Sequence, residues 1–171
     1  MIASVFADGG VILKNPSVHG GTFAFVLVDE NGQEISHASG TVTPSDIGLP
    51  TVSNNYSELL ACVNAMLYVP QEWDGTIYTD SFVTMCRLTA KNPGMKGIPK
   101  DLRVRTWEAR LRLGAFKVTL LDGHPTKDQL FSGIGKRGNP VSRWNDFCDR
   151  LCKEQARKFM ANIAVPSGVT S

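Results

Sequence analysis

Residues 22–42, TFAFVLVDENGQEISHASGTV, decide the fold class. Thr22 to Val28 is a strand, rich in aromatic and β-branched side chains. Asp29-Glu30-Asn31-Gly32 is a strong hairpin signal, so Gln33 to Val42 returns antiparallel. Upstream, Ala3 to Ala7 reads as another strand, which Asp8-Gly9-Gly10 is expected to stop. Asn15-Pro16 and Gly20-Gly21 bracket the turn that follows. Three consecutive strands of this kind make a meander and exclude a Rossmann opening.

The pattern then changes. Thr43 to Ser53 is a loop with Pro44, Gly48 and Pro50, after which Leu59, Leu60, Val63, Met66 and Leu67 recur at helical spacing and predict a helix over Tyr56 to Val69. Glu58 falls in its first or second turn. Thr76 to Thr79 is a fourth strand ending at Asp80-Ser81, and Phe82 to Thr89 begins another helix. Asp80 thus lies at the carboxyl end of a strand, where open sheets place ligand-binding residues. Asn92 to Pro99 is a loop, Lys100 to Leu113 a basic helix, Ala115 to Leu121 a strand and Arg143 to Ala161 a closing helix. The Gly-rich stretch Gly133 to Pro140 reads as mobile before substrate arrives.

At 171 residues and 18.6 kDa the chain holds one hydrophobic core and is too short for two comfortable domains. A single domain is expected over residues 1–162, with residues 163–171 as a flexible tail. No apolar run is long enough to span a membrane, and Asp8 interrupts any signal-like start, so an intracellular, cytoplasmic protein is expected. Cys62, Cys86, Cys148 and Cys152 contain no CxxC. Cys148 and Cys152 stand four apart, a spacing that suits packing on one helix, so free thiols are expected. Of the 18 Lys and Arg residues, 17 follow position 86 with seven acids, leaving +10 there against −8 before it. Such asymmetry can set an acidic, metal-binding side beside a basic surface that meets phosphate; taken alone it reads more simply as a set of solvated helix faces.

Four acids carry the chemistry: Asp8, Glu58, Asp80 and Asp149. Taken singly, each has an ordinary reading, as a turn residue, a helix-start carboxylate, a helix cap and a surface ion-pair partner. Gathered by folding, they form an oxygen cage for a hard cation such as Mg²⁺, with Mn²⁺ also admitted, and point to phosphodiester chemistry. Asp146 lies close enough to Asp149 to compete for its place. Trp73, Trp107 and Trp144 read as core or boundary aromatics.

The motifs in order resemble those of type 1 ribonuclease H. Val5-Phe6-Ala7-Asp8-Gly9-Gly10 with Asn15-Pro16 and Gly20-Gly21 looks like that family's opening. Asn54-Asn55-Tyr56-Ser57-Glu58-Leu59 resembles its second motif, Ile77-Tyr78-Thr79-Asp80-Ser81 its third and Asn145-Asp146-Phe147-Cys148-Asp149 its last, over residues 3 to 159. The resemblance implies an α/β, ribonuclease H-like fold: a five-stranded mixed sheet with helices packed on both faces. It also implies endonucleolytic cleavage of the RNA strand of RNA:DNA hybrids by two metal ions bound with substrate. Asp8, Glu58, Asp80 and Asp149 would be the metal-binding carboxylates. His124, in Asp122-Gly123-His124, would assist proton transfer or product release.

Asn15, Asn54 and Asn55 would touch the hybrid near its minor groove, where 2′-hydroxyls mark the RNA strand. Lys100 and Arg103, with Arg105, Arg110 and Arg112 on the same basic helix, are expected to hold phosphates. Lys136, Arg137 and Asn145 complete the expected nucleic-acid contacts. Two departures stand out. His124 and Asp149 are 25 positions apart, room for a substrate flap over residues 125–144, and the tryptophan-rich basic protrusion of some members is not evident. A monomer that removes RNA primers during replication is the expected setting. A DNA-cutting enzyme of the same fold, or a nucleic-acid-binding module without catalysis, are the competing readings.

Overall fold

The computed structural model describes residues 1–164. Three antiparallel strands come first: β1 (Ile2–Val11), β2 (Gly21–Asp29) and β3 (Glu34–Val42). A one-turn helix α1 (Pro44–Ile47) interrupts the expected loop, nucleated by a capping box between Thr43 and Asp46. Then follow α2 (Asn54–Met66), β4 (Thr76–Thr79), α3 (Phe82–Thr89), α4 (Lys100–Arg112), β5 (Lys117–Leu120), α5 (Lys127–Ser132) and α6 (Arg143–Ala164). Helix α6 passes the boundary set at residue 162, and the rest of the expected tail, residues 165–171, lies outside the described residues.

The strands form one mixed sheet in the order β3-β2-β1-β4-β5, with β4 parallel to both β1 and β5. The hairpin between β2 and β3 closes where Asp29 Oδ1 accepts from the amides of Asn31 and Gln33, an Asx-type turn. Parallel pairing joins β1 to β4. It puts the carboxyl end of β4 beside the middle of β1.

Helices cover both faces. Alternation along β1 sends Val5 and Ala7 to one side, into a core with Leu59, Val63 and Met66 of α2, Leu88 of α3 and Leu102 of α4. Phe6 points to the other side, where Val26 and Val28 of β2 meet Cys148 and Cys152 of α6. Trp73 is buried and its indole donates to the Ile2 carbonyl, while Trp107 stays 40% exposed with Arg110 over its ring. All four cysteines are free; Cys148 and Cys152 pack one turn apart, with Sγ atoms 3.5 Å from the carbonyls of Phe6 and Asp8.

The first strand corrects the sequence reading. It does not stop at Asp8-Gly9-Gly10 but continues to Val11, with Asp8 opposite Ala24 and Gly9 opposite Phe23. Gly9 is needed for closeness, not for a turn: a Cβ there would lie 2.3 Å from the Ser57 carbonyl carbon and 2.4 Å from the Glu58 nitrogen. Helix α2 therefore rests directly on the strand, and that contact brings Glu58 to Asp8.

Segment 125–144 is also more built than its glycines suggest. Thr126 and Gln129 form a capping box that starts α5, and Ile134 pairs with Pro140 across a tight turn. Among the described residues no helix is long and apolar enough to cross a membrane.

Candidate active site

Asp8 comes from the middle of β1, Glu58 from the second turn of α2, and Asp80 from the residue after β4. Ser53 caps α2 by accepting from the Tyr56 amide, and Ser81 caps α3 by accepting from Thr84, so both neighbouring backbones are held by local hydrogen bonds. One carboxylate oxygen from each of Asp8, Glu58 and Asp80 lies within 4.8 Å of the others. Asp8 and Glu58 are each only 5% exposed.

Three buried or half-buried carboxylates at this separation repel one another. The Asp8 carboxyl is pushed up to about 8, first by burial and then by the charge of Asp80, with Asp149 adding to it; the Glu58 side chain and the Gly9 amide oppose the shift through hydrogen bonds. Glu58 is raised well above its usual range by burial, then by Asp8 and Asp80. Glu58 Oε2 is buried with no hydrogen-bond partner. An orphaned buried oxygen beside two more carboxylates fits a hard divalent cation, whose charge would remove both the repulsion and the missing bond.

Asp149 lines the same cleft, of about 480 Å³, but is not one of the clustered three. Lys153 holds its Oδ2 at 2.8 Å, and His124 Nδ1 is 4.0 Å from the same oxygen. The Asp149 pair raises Lys153, through a hydrogen bond and then its charge. Asp146 does not compete for this position: it pairs with Arg150 at 3.4 Å and does not line the cleft. His124 sits at the cleft rim with a positive φ of 50° and a largely exposed ring.

The expected nucleic-acid contacts divide into groups. Asn54 lines the cleft as the first residue of α2, and its amide donates to Asn15 Oδ1 at 3.0 Å, so the two asparagines of different motifs meet. Asn15 and Asn55 are exposed. Lys100 and Arg103 are exposed on α4, and Arg137 lines the cleft beside an exposed Lys136.

Four other expectations are corrected. Asn145 is 2% exposed, too buried to touch nucleic acid; its Nδ2 donates to Asp80 Oδ2 at 3.3 Å instead. Arg105 donates to Asn64 Oδ1, Arg110 to the carbonyls of Arg87 and Ala90, and Arg112 to the carbonyl of Met66. These guanidiniums are tied to acceptors on α2 and at the carboxyl end of α3 and are not left free as a phosphate-binding row. Sequence reading also gave Asp122 no role beyond its motif. Its carboxylate accepts from the Arg137 and Asn139 amides and from Asn139 Nδ2, partners 15 and 17 residues away that no local signal pairs with it.

Solved structures share this architecture. RNase H1 from the halophilic archaeon Halobacterium salinarum is 18% identical, with a TM-score of 0.63 over 91% of this chain and 97% of that one. The N-terminal RNase H domain of a Mycobacterium tuberculosis protein, fused to maltose binding protein, is 13% identical, with a TM-score of 0.62 over 95% and 99%. LC11-RNase H1 in complex with an RNA/DNA hybrid, from a protein isolated from compost by a metagenomic approach, is 15% identical, with a TM-score of 0.62 over 92% and 98%. Neither a protein-family model nor a curated protein sequence matches the chain. The fold is that of ribonuclease H: a five-stranded mixed sheet with helices on both faces and an acidic cluster at its centre.

Proposed function

We propose that this protein is a metal-dependent endonuclease that hydrolyses the RNA strand of RNA:DNA hybrids. The observation that carries the reading is the convergence of Asp8, Glu58 and Asp80 within 4.8 Å, with Glu58 Oε2 buried and unpartnered. The whole-chain likeness to RNase H1 structures, one of them holding a hybrid, supports the substrate class.

Asp8, Glu58 and Asp80 would hold divalent cations, with Asp149 joining from the cleft wall; Mg²⁺ is the ion we favour, two with substrate bound. Bound there, such ions supply an activated water for in-line attack at phosphorus and stabilise the leaving 3′ oxygen. The protein side of the chemistry is positioning. Asn145 donates to Asp80 Oδ2 and so orients that carboxylate. His124, 4.0 Å from Asp149 at the rim, is placed to move a proton at the product side.

Asn54 and Asn15 form a linked pair whose side-chain amide donors face 2′-hydroxyls in the wide minor groove, with Asn55 beside them. Lys100, Arg103, Lys136 and Arg137 meet phosphates. We further place the protein in the cytoplasm as a monomer that removes RNA during replication.

The test is cleavage of end-labelled RNA:DNA hybrid, duplex RNA, duplex DNA and single strands, with Mg²⁺, Mn²⁺ or chelator, comparing wild type with Asp80→Asn. Internal cuts in the hybrid's RNA strand that need metal and vanish in the variant are expected. Cutting of DNA would reassign the enzyme to a DNA nuclease of the same fold. Binding without cutting under both metals would make it a noncatalytic module.

A further inference from the structure

Within the 24 residues between His124 and Asp149, the segment 133–140 is tied to the end of β5 by one buried acid. Asp122 follows β5 by two residues and is 4% exposed. Its Oδ2 accepts from the Arg137 amide at 2.7 Å and the Asn139 amide at 3.3 Å, and its Oδ1 accepts from Asn139 Nδ2 at 2.9 Å. Its own amide donates to the Pro140 carbonyl at 2.9 Å. Gly135 leaves no room between the two parts: a Cβ there would lie 2.4 Å from the Asp122 Cβ.

The tip of this hairpin is a tight turn. The Gly138 amide donates to the Gly135 carbonyl at 3.0 Å, with Lys136 and Arg137 as its two central residues. Arg137 lines the cleft that holds Asp8, Glu58, Asp80 and Asp149. Its side chain makes no ion pair and no hydrogen bond among the described residues. A cationic fork held beside carboxylates without pairing to them is set up for an anion that arrives from outside.

We propose that residues 133–140 form a fixed phosphate clamp: Arg137 takes a phosphodiester of the RNA strand next to the carboxylate cluster, and Asp122 is the positioning residue that holds Arg137 there. This rests on the hybrid substrate proposed above. Because the anchor is a set of backbone and amide hydrogen bonds, the arginine's backbone is placed before substrate binds. The chain's extra length thus works as a preset contact and not as a flap that closes.

The test is binding of a fluorescent RNA:DNA hybrid in chelator, so that nothing is cut, across a salt series. Arg137→Ala should weaken binding roughly tenfold and reduce the slope of log affinity against log salt by about 0.7–0.9, the loss of one phosphate contact. Arg137→Lys should keep the slope and recover part of the affinity. Asp122→Asn, or Asn139→Ala if that variant does not fold, should reproduce both changes, and combining either with Arg137→Ala should add little. An unchanged slope in Arg137→Ala overturns the clamp; effects that multiply in the double variant overturn the anchor. Cleavage by wild type in Mg²⁺ is scored separately. Normal binding slopes without cutting would sink the proposed activity and leave the clamp standing.

Discussion

Asn145 Nδ2 lies 3.3 Å from Asp80 Oδ2, and Asn145 Oδ1 is itself buried without a partner. Helix α6 thereby reaches across to β4 and fixes the half-exposed member of the carboxylate cluster. A neutral amide adds no charge to a crowded acidic site.

Asn145→Ala should lower metal affinity and hybrid cleavage about 10- to 100-fold, as loss of an outer partner of a metal ligand commonly does. Asn145→Asp should be worse, since it replaces the donor by a further carboxylate beside the four already there. Calorimetric titration with Mg²⁺ or Mn²⁺ checks both, and undiminished affinity in Asn145→Ala would refute the role.

The acidic cluster makes the metal-free protein pH-sensitive. Asp8 is pushed up to about 8 from an ordinary value of 3.8, by burial first and Asp80 second. The folded state therefore holds a proton more tightly than the unfolded state. Its stabilising effect is full below about pH 4 and is lost as pH rises through 8. In chelator, the thermal midpoint should fall by on the order of 10 °C from pH 5 to pH 8. Asp8→Asn should flatten that decline, and Mg²⁺ should reverse it in wild type. A midpoint that stays level across this range in chelator would show that the cluster is not strained.

Gly9→Ala should damage folding more than any exposed substitution. Its Cβ would meet the Ser57 and Glu58 backbone at 2.3 to 2.5 Å, and backbone on both sides cannot move aside without parting α2 from β1. A loss of roughly 3 kcal/mol or more is expected in denaturant unfolding. A loss below about 1 kcal/mol would mean that the helix rides up freely.

The basic residues of α4 should separate by function. Arg110→Ala removes two hydrogen bonds to the carboxyl end of α3 and should cost about 1–3 kcal/mol of stability. Lys100→Ala and Arg103→Ala, on exposed positions, should leave the thermal midpoint within about 2 °C and weaken hybrid binding, with a smaller salt slope. If Arg110→Ala lost affinity without losing stability, the division between structural and phosphate-binding cations would be wrong.

Local signals carried most of the architecture. Asp29 to Gly32 is a hairpin turn for steric and hydrogen-bonding reasons contained within those residues. The α2 stripe and the Ser81 cap of α3 are also short-range patterns, and α3 spans Phe82–Thr89 as its sequence predicts. The acidic motifs are legible in order as well, but the four acids they supply divide on folding into a cluster of Asp8, Glu58 and Asp80 and a cleft-wall Asp149.

Short-range signals thus set the elements and the acids at their edges, because backbone propensity and apolar period act over a few residues. The partners of each polar group were set by packing. Asp8-Gly9-Gly10 carries a turn signal, yet pairing with β2 and the weight of α2 keep it in the strand. Asn145, Arg105, Arg110 and Arg112 look like surface groups in a basic stretch, yet burial and distant acceptors turn them inward. Asp122 gained its anchoring role from partners 15 and 17 residues away, and Arg137 its place in the cleft through that anchor. Such roles depend on which groups lack a partner once the sheet is assembled, and that is a property of the packed chain alone.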